Sequence, residues 1–485
     1  MRGTAECRGR TLWEIAVRDV LGVVDSEVGA VLESVIRSHH RRRLARVGWN
    51  LTVAGARTGW AHGGFPVRDG NHVEVHIDGA AALPAIAAAV RSARSSVHIA
   101  GWAVSAGFAV ERSPRRVTLR DLLAEAAERV DVRVLVWAGA PLGLFHPSRS
   151  ESRSALEELT AATPIRGALD SRNRPMHCHH EKLVVIDGRL AFVGGIDLTD
   201  RAGDRFDGAP HDSAPVLGWH DLAASLTGPA VADVATHFAT RWRAVTAEPV
   251  PDVEVPPAAG RSRVQVVRTV PEGTYAEIGR GDFGILEAYT GALRGAKRLI
   301  YLENQFLWSA EIVALLRDKL LHPPSDEFRL CIVLPSRPNN GNDDTRGQLA
   351  VLLDADTHGR LLACTIGPPA RHRPPVYVHA KVGIVDDSWI TVGSANLNEH
   401  SLFNDTEVNI VSDDGALARA VRERLWSEHL GTDCSGLDPL AVLEERWRPL
   451  LRDGGVPTTA LRPLPSTSRR SARLAGPLKG LLVDG

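Results

Sequence analysis

Two histidine–lysine pairs recur in the chain, each followed by an aspartate and a glycine in the pattern HxKx4Dx6G. The positions are His180, Lys182, Asp187 and Gly194 in the first copy and His379, Lys381, Asp386 and Gly393 in the second. Residues i and i+2 of a β-strand lie on the same face of a sheet. Each copy is therefore predicted to present one imidazole and one ammonium side by side on a strand.

Two such pairs, facing each other, provide the side chains that cleavage of a phosphodiester requires. Two lysines can neutralise the phosphoryl oxygens. One histidine can attack phosphorus as a covalent nucleophile, while the other protonates the leaving oxygen and later takes a proton from water or an alcohol. Because these groups supply both the charge and the proton transfer, we expect a reaction that uses no metal and no cofactor.

Two other interpretations of these residues are less favoured. A single HxK means little, but two copies with identical spacing inside a wider repeat argue against a purely structural origin. The run from His177 to His180 could suggest zinc. However, neighbouring strand residues alternate faces, no second Cys/His group has a standard zinc spacing, and Lys182 would repel a cation.

The motif lies within a larger internal duplication. Residues 89–94 reappear as 292–297 at an offset of 203, and residues 132–136 reappear as 328–332 at an offset of 196. The histidine–lysine pairs have an offset of 199. Three blocks in the same order at nearly constant offset indicate two copies of one unit, with a period of about 200 residues.

Each copy is predicted to alternate helices with buried strands and to end in a strand hairpin. Leu83, Ile86 and Val90 have helical spacing before the apolar run 97–100. This alternation predicts an α/β fold with a largely buried, mixed or parallel sheet. The predicted segments are an N-terminal helical extension (1–70), a first half (71–247), a Pro-rich linker (248–261), a second half (262–445) and a loosely ordered tail (446–485).

The composition excludes several classes of protein. The 485 residues are 44% hydrophobic, which is too apolar for a disordered chain. The formal net charge of −1 argues against a DNA-coating protein, so we expect no nucleic-acid partner. Five scattered cysteines, no signal-peptide pattern and no apolar run of about 18 residues predict a cytoplasmic protein. A peripheral membrane contact stays open, because the basic run 39–43 is either a binding site for anionic headgroups or a solvated helix end.

Lysine is rare in this chain. Only five of the 57 basic residues are lysine, and two of these five are Lys182 and Lys381. Since a compact ammonium fits a crowded phosphate pocket where a planar guanidinium does not, the two lysines mark the predicted active site.

On these residues the chain resembles the phospholipase D superfamily, which is defined by paired HxKx4D motifs, and within it the true phospholipase D branch. The resemblance covers about residues 75–440. It extends to the segments 194–198, 219–221, 226–242, 301–306, 393–398 and 404–407. The fold that the resemblance implies is an internally duplicated α-β-α sandwich, with two halves related by pseudo-two-fold symmetry and one active site at their interface.

The resemblance also implies a role for each site residue. The implied roles are nucleophile and site of the phosphohistidine for His180, general acid and base for His379, phosphate binding for Lys182, Lys381 and Asn396, orientation of the two imidazoles for Asp221 and Glu407, and a structural role for Asp187, Asp386, Gly194 and Gly393. The first copy departs from a symmetric amide pair, since Asp197 stands where the second copy has Asn396.

The implied function is phospholipase D-type hydrolysis of a glycerophospholipid, which gives phosphatidic acid and an alcohol and also allows transfer to an alcohol. Alternatives are a phosphatidyltransferase of the cardiolipin- or phosphatidylserine-synthase type, a superfamily nuclease, and a non-catalytic lipid-binding scaffold. The expected partners are a phospholipid, an acceptor (water or an alcohol) and a peripheral membrane surface, and the chain is expected to be a monomer.

Overall fold

The computed structural model describes residues 12–141, 145–174, 177–209, 211, 217–251, 254–339, 342–367, 376–452 and 459–464. The described chain begins with two helices, α1 (Leu12–Val47) and α2 (Asn50–Gly55). None of the helices in these ranges is both long and apolar enough to cross a membrane.

The first half alternates strands and helices and ends in a long helix. Its elements are β1 (Arg68–Ile77), α3 (Gly79–Ser92), β2 (Ser96–Gly101), β3 (Ala109–Glu111), β4 (Val117–Thr118), α4 (Leu119–Ala127), β5 (Asp131–Trp137), α5 (Arg149–Thr160), β6 (Arg166–Asp170), β7 (Lys182–Ile186), β8 (Leu190–Gly194), β9 (Gly218–His220), β10 (Leu222–Thr227) and α6 (Val231–Thr246).

The second half repeats this order and adds elements at its end. Its elements are β11 (Ser262–Val270), a 3-10 turn (Ala276–Ile278), β12 (Asp282–Phe283), α7 (Gly284–Gly295), β13 (Leu299–Asn304), α8 (Ala310–Leu321), β14 (Arg329–Val333), α9 (Asn342–Ala355), β15 (Leu361–Ile366), β16 (Val376–Val378), β17 (Lys381–Val385), β18 (Trp389–Gly393), a π-helical turn (His400–Asn404), β19 (Glu407–Ser412), α10 (Gly415–Leu430), α11 (Pro439–Val442), a second π-helical turn (Leu443–Trp447), α12 (Arg448–Arg452) and β20 (Leu461–Pro463).

The two halves share one continuous sheet. Its strand order is β20-β15-β14-β13-β17-β18-β19-β11-β1-β10-β8-β7-β2-β5-β6. On either side of the antiparallel β1–β11 pair, the order in one half mirrors the order in the other. Strands β2, β5 and β6 are mutually parallel, as are β13, β14 and β15, while the strands nearer the centre are antiparallel. The predicted α/β duplication with pseudo-two-fold symmetry is confirmed.

Helices cover both faces of the sheet, and this coverage explains the composition of the strands. Every residue of β7 and β17 is buried, and each strand is a run of apolar side chains after its lysine. Such runs are typical of sheets that are covered on both faces. One apolar core, which includes Phe238 of α6 and Trp426 of α10, is continuous across both halves. The opposite face has two separate cores, one under α3 and α4 and the other under α7 and α8.

The basic run 39–43 in α1 is partly exposed and partly buried. Arg43 is buried and forms a bidentate ion pair with Glu272 (2.9 Å from Nε to Oε1). His40 is also buried, with its Nδ1 3.0 Å from carboxylate oxygens of both Glu311 and Glu399. The acidic residues that His40 and Arg43 meet all belong to the second half. These two residues therefore anchor α1 to that half.

The C-terminal segment was predicted to be loosely ordered, but its described part contains regular elements. Trp447 is fully buried, and β20 adds an edge strand to β15. Residues 453–458 and 465–485 of this segment lie outside the described residues, as do residues 1–11 of the predicted N-terminal extension.

A buried ionic cluster positions the segment that leads into β7. The guanidinium of Arg241, on α6, donates to Glu181 and, at 3.0 Å, to Asp170. Tyr275, from the second half, donates its hydroxyl to Asp170 at 2.7 Å. The hydroxyl of Thr406, also from the second half, donates to Glu181. Because all of these side chains are buried, the cluster joins the two halves at the start of β7.

Replacement of Arg241 tests the importance of this cluster. In an Arg241→Met variant, two buried carboxylates lose their cation, so we expect the free energy of unfolding in urea to fall by about 3–5 kcal/mol. The matched control is Arg243→Met on the same helix, because Arg243 pairs with Glu277 at the surface. That change is expected to cost about 0–1 kcal/mol. Equal effects of the two substitutions would contradict the anchoring role.

Candidate active site

The two histidine–lysine pairs occupy equivalent places in the sheet. Lys182 is the first residue of β7 and Lys381 is the first residue of β17, and each histidine lies two residues earlier. The ammonium of Lys182 donates to the carbonyl of His180 at 2.5 Å, and that of Lys381 donates to the carbonyl of His379. All four residues are at most 6% exposed. Each pair is therefore a compact unit on a strand that the core holds in place.

The carboxylates predicted to orient the histidines come from the opposite halves. His180 Nδ1 lies 2.9 Å from Glu407 Oε1, and His379 Nδ1 lies 2.6 Å from Asp221 Oδ2. A carboxylate at Nδ1 leaves the other ring nitrogen, Nε2, available for chemistry. Each half therefore supplies one imidazole and the carboxylate for its neighbour, which places a single site at the interface.

The backbone follows the same exchange. The amide of His180 donates to the carbonyl of Thr406 at 2.9 Å, and the amide of His379 donates to the carbonyl of His220 at 2.8 Å. Each accepting residue directly precedes the carboxylate that meets the imidazole. Strand β9 also pairs in parallel with β16, which extends this contact. Each histidine is thus held by a backbone carbonyl and a side-chain carboxylate that both belong to the other half.

Strand register shows that Asp221 and Glu407 are equivalent residues. Ala223 pairs with the motif glycine of the first copy, and Asn409 pairs with the motif glycine of the second. The carboxylates lie two residues before these partners. Asp221 and Glu407 are 186 residues apart, whereas the motif histidines are 199 residues apart. The difference arises because the first half has 13 more residues between its motif glycine and its carboxylate than the second half has. This difference hides the equivalence from a search at constant offset.

The motif glycines allow the strands to approach closely. A Cβ atom on Gly194 would lie 2.4 Å from the carbonyl oxygen of Leu222, and one on Gly393 would lie 2.2 Å from Oδ1 of Asn409. Real Cβ contacts are essentially never this short. The glycines therefore allow β10 and β19, which follow or carry the two carboxylates, to lie against β8 and β18.

The residue after the motif glycine is Gly195 in the first copy and Ser394 in the second. Each of them lies beside one of the two carboxylates. Ser394 donates its hydroxyl to Glu407 Oε2 at 2.5 Å. Its counterpart is Gly195, where a Cβ atom would lie 2.2 Å from Asp221 Oδ1. The shorter aspartate therefore occupies the space that a side chain at position 195 would need.

The surroundings of the two lysines are electrically unequal. The ammonium of Lys182 lies 3.3 Å from Asp197 Oδ2, so a carboxylate neutralises it. In the second half, Gln305 Oε1 accepts from Lys381 Nζ at 3.1 Å and from Asn396 Nδ2 at 3.3 Å. These amides are neutral and leave the positive charge of Lys381 available to an anion. The departure from symmetry at Asp197 is thus a difference in charge.

Burial shifts the pKa values of several groups at the site. It raises the pKa of Glu407 to about 8 and that of Asp221 to about 7, although nearby lysines act in the opposite direction. Burial, reinforced by Lys182, lowers the pKa of Lys381 to about 7. Burial and the cations Lys381, Arg205 and Lys182 lower the pKa of His379 well below its ordinary value. The His379 ring is therefore neutral while no anion is bound.

The motif aspartates lie at the hairpins and not among the residues around the histidines. The carboxylate of Asp187 accepts backbone N–H groups of residues 94–96 at 2.7–3.1 Å. Asp386 accepts those of residues 297–299 at 2.7–2.8 Å. Each carboxylate thus joins its hairpin to the turn before β2 or β13.

Several residues around His379 were not singled out from the sequence. The Trp219 ring lies 4.3 Å from the imidazole, and the Arg205 guanidinium lies 3.9 Å above Trp219. The hydroxyl of Tyr377 accepts from Gln305 Nε2 at 3.0 Å. Trp219 and Gln305 lie within segments that carried the family resemblance, but Arg205 and Tyr377 had no such signal.

Two family models match the chain, one in each half. The model described as "Phospholipase D" matches residues 89–214, and the model described as "Cardiolipin synthase, PLD-like domain" matches residues 293–428. Each matched segment contains one of the two HxKx4D motifs.

Curated relatives align across both halves. Phospholipase D A of Dictyostelium discoideum is 27% identical over 76% of this chain and 36% of its own length. Phospholipase D1 of Schizosaccharomyces pombe is 25% identical over 79% and 36%, respectively. Phospholipase D alpha 1 of Nicotiana tabacum is 25% identical over 71% and 63%. The chain therefore spans between about a third and two thirds of the length of these relatives.

A solved structure, the phosphatidylserine synthase of Haemophilus influenzae Rd KW20, has a TM-score of 0.54 over 79% of this chain and 88% of its own. At 13% identity this likeness concerns the fold alone. The fold, the duplicated motifs and the matches in both halves agree with one another. The chain belongs to the phospholipase D superfamily and is close to its true phospholipase D branch.

Proposed function

We propose that this protein hydrolyses glycerophospholipids as a phospholipase D, giving phosphatidic acid and an alcohol through a phosphohistidine. The observation that carries the proposal is the exchanged pairing of each motif histidine with a carboxylate of the other half, beside two lysines. A two-step displacement at phosphorus needs two imidazoles with separate tasks, and this arrangement supplies both. The phospholipase D relatives support the choice of a phospholipid substrate.

In the first step, Nε2 of His180 attacks phosphorus and the bond from phosphorus to the headgroup oxygen breaks. His379 gives its proton to that oxygen, so the headgroup leaves as a neutral alcohol. The imidazole of His180 becomes cationic as the nitrogen–phosphorus bond forms, and Glu407 at Nδ1 stabilises that charge. Lys182, Lys381 and Asn396 bind the phosphoryl oxygens.

In the second step, His379 takes a proton from water and the water oxygen attacks phosphorus. The nitrogen–phosphorus bond then breaks, which releases phosphatidic acid and restores neutral His180. Asp221 at Nδ1 of His379 keeps that ring in the orientation both transfers need. An alcohol in place of water gives a new phosphodiester by the same step.

The cations around His379 explain how substrate binding prepares the acid. Without an anion, burial and these cations hold the pKa of this imidazole low. A bound phosphodiester brings negative charge next to the same lysines, so protonation of His379 becomes more favourable. The acid therefore forms when the substrate whose leaving group it protonates is present.

A phosphatidyltransferase is the second candidate. The cardiolipin synthase-type model that matches residues 293–428 favours it, and the chemistry differs only in the acceptor of the second step. Both motifs lie in one chain, which supports a monomer as the working unit. We further propose a cytoplasmic protein that meets its substrate at a membrane surface.

Trapping of the intermediate tests the mechanism. We expect an acid-labile, base-stable label on His180 when phospholipid labelled in its diacylglycerol phosphate is added and the reaction is quenched early. The His180→Ala variant should lose the label and all turnover. The His379→Ala variant should lose about 10²–10⁴-fold in turnover with a substrate whose leaving group needs protonation.

The matched control for these variants is His72→Ala, because His72 is exposed on β1. Product analysis with and without a primary alcohol separates hydrolysis from transfer. Turnover close to wild type in either motif variant would refute the two-histidine mechanism, while a product that forms only with the alcohol would favour the transferase.

The pH dependence of turnover tests the role of Lys381. Its pKa of about 7 means that the free protein loses this positive charge as the pH rises through neutrality. Because kcat/KM reports the free enzyme, we expect it to fall about tenfold per pH unit above that value. The alkaline limb of kcat should lie at higher pH, since the bound phosphate stabilises the ammonium. In Lys381→Met, which has no charge to lose, the residual kcat/KM should be low and its limb near pH 7 should vanish. A limb that persists unchanged would assign it to another group.

Substitution of Gly195 tests the placement of Asp221. The added methyl group in Gly195→Ala would overlap the carboxylate, so we expect a displaced His379 and a loss of about 10²-fold in kcat. Gly107→Ala is the control, because a Cβ atom at Gly107 meets nothing within 4 Å. Full activity in the Gly195 variant would show that the position of Asp221 is not critical.

A further inference from the structure

A second group of histidines and carboxylates lies behind His379. Its central residues are Asp78, which precedes α3, His211, His220 at the end of β9, and Glu428 of α10. One ligand atom from each of the four residues lies within 4.8 Å of all the others. Asp78, His211 and His220 are buried, and the side chain of Glu428 is 14% exposed.

The spacing of these atoms matches the edges of a coordination tetrahedron. His211 Nε2 lies 3.3 Å from Glu428 Oε1 and 3.7 Å from Asp78 Oδ2. His220 Nδ1 lies 3.5 Å from Glu428 Oε1 and 2.8 Å from Asp78 Oδ1. Ligand atoms bound about 2.0–2.1 Å from a tetrahedral zinc ion are about 3.3 Å apart. The four atoms are therefore already placed close to where a zinc ion would need them.

The far side of each imidazole meets another carboxylate. His211 Nδ1 lies 3.0 Å from Asp207 Oδ2, and His220 Nε2 lies 2.8 Å from Glu303 Oε2. A metal-bound histidine almost always donates its other N–H to a carboxylate or a carbonyl, which fixes the ring and raises its basicity. Both imidazoles have this support, and in both the other ring nitrogen faces Asp78 and Glu428.

One atom at the centre lacks a hydrogen-bond partner among the described residues. It is Asp78 Oδ2, in a side chain that is 1% exposed. A buried polar atom without a partner costs free energy, so such an atom needs an explanation. Within the described ranges, the ion pairs of Asp78 and Glu428 are all with histidines. By contrast, the cluster beside His180 has the guanidinium of Arg241 as its cation.

We propose that Asp78, His211, His220 and Glu428 bind a structural zinc ion. The ion gives Asp78 Oδ2 a partner and replaces the protons with which the two imidazoles meet Asp78 and Glu428. Four protein ligands close its coordination shell, so the site differs from catalytic zinc sites, which keep an open position. This proposal revises the expectation of a metal-free protein, while the reaction at phosphorus still uses only histidines and lysines.

The site is connected to Asp221, and this connection gives the ion a consequence. The amide of Asp221 donates to Asp78 Oδ1 at 3.1 Å, and the amide of Asp78 donates to the carbonyl of Asp221 at 2.7 Å. Three ligands come from the first half, and Glu428 comes from the second. A bound zinc ion would therefore fix the two halves together at the point where one half reaches across to His379.

Metal analysis of the full chain tests the proposal independently of its activity. After expression with added zinc and dialysis without chelator, we expect about one zinc per chain by mass spectrometry. His211→Gln and Glu428→Gln should each reduce this content at least tenfold. The matched control is His237→Gln, because His237 is equally buried and contacts Glu181 in the cluster that Arg241 occupies. This variant should keep its zinc.

Thermal unfolding distinguishes loss of the site from loss of the fold. Zinc added to chelator-treated wild-type protein should raise its Tm, because the ion binds the native state. The Tm of a folded His211→Gln variant should not respond. Two results would overturn the proposal: wild-type protein without zinc whose Tm ignores added zinc, or a His211→Gln variant that retains one zinc per chain. Neither result bears on phospholipid hydrolysis, which the histidine variants test.

Discussion

The exchange of carboxylates between the two halves is the interaction on which the rest of the site depends. An imidazole on a strand rotates about two side-chain bonds unless a second group fixes its ring. Here Glu407 fixes His180 and Asp221 fixes His379, each from the other copy. Neither half has a complete site by itself. The shared sheet, the backbone contacts at Thr406 and His220, and the close strand crossings at the glycines all serve to keep this exchange in register.

Such an exchange requires many charged groups in a region that excludes water. The free energy cost of burying them is met by two polar clusters, one behind each histidine. Beside His180, Arg241 neutralises Asp170 and Glu181. Beside His379, the charged groups are histidines and carboxylates, and the proposed zinc ion would bind among them. Both clusters contain residues of both halves, so the same groups that stabilise the interface also position the reacting side chains.

The two copies have become chemically different although their strands still match. Asp197 forms an ion pair with Lys182, whereas Lys381 meets the neutral amide of Gln305, which also accepts from Asn396. This inequality agrees with two histidines that perform different tasks. The two lysines nevertheless share one contact, since each ammonium donates to the carbonyl of its own histidine.

The sequence alone determined the duplication, the alternation of strands and helices, and the histidine–lysine pairs. These features are local or periodic, so the identity and spacing of neighbouring residues record them. The family resemblance added Asp221, Glu407 and Asn396, which no spacing rule would have selected. The continuous sheet across β1 and β11 was not predicted, because strand pairing between distant segments leaves no periodic signal.

Only the tertiary structure decided which carboxylate faces which histidine, that Arg43 and His40 are internal anchors, and that Asp78, His211, His220 and Glu428 meet. Each of these contacts joins residues far apart in sequence, and their distances depend on how the two halves fold against each other.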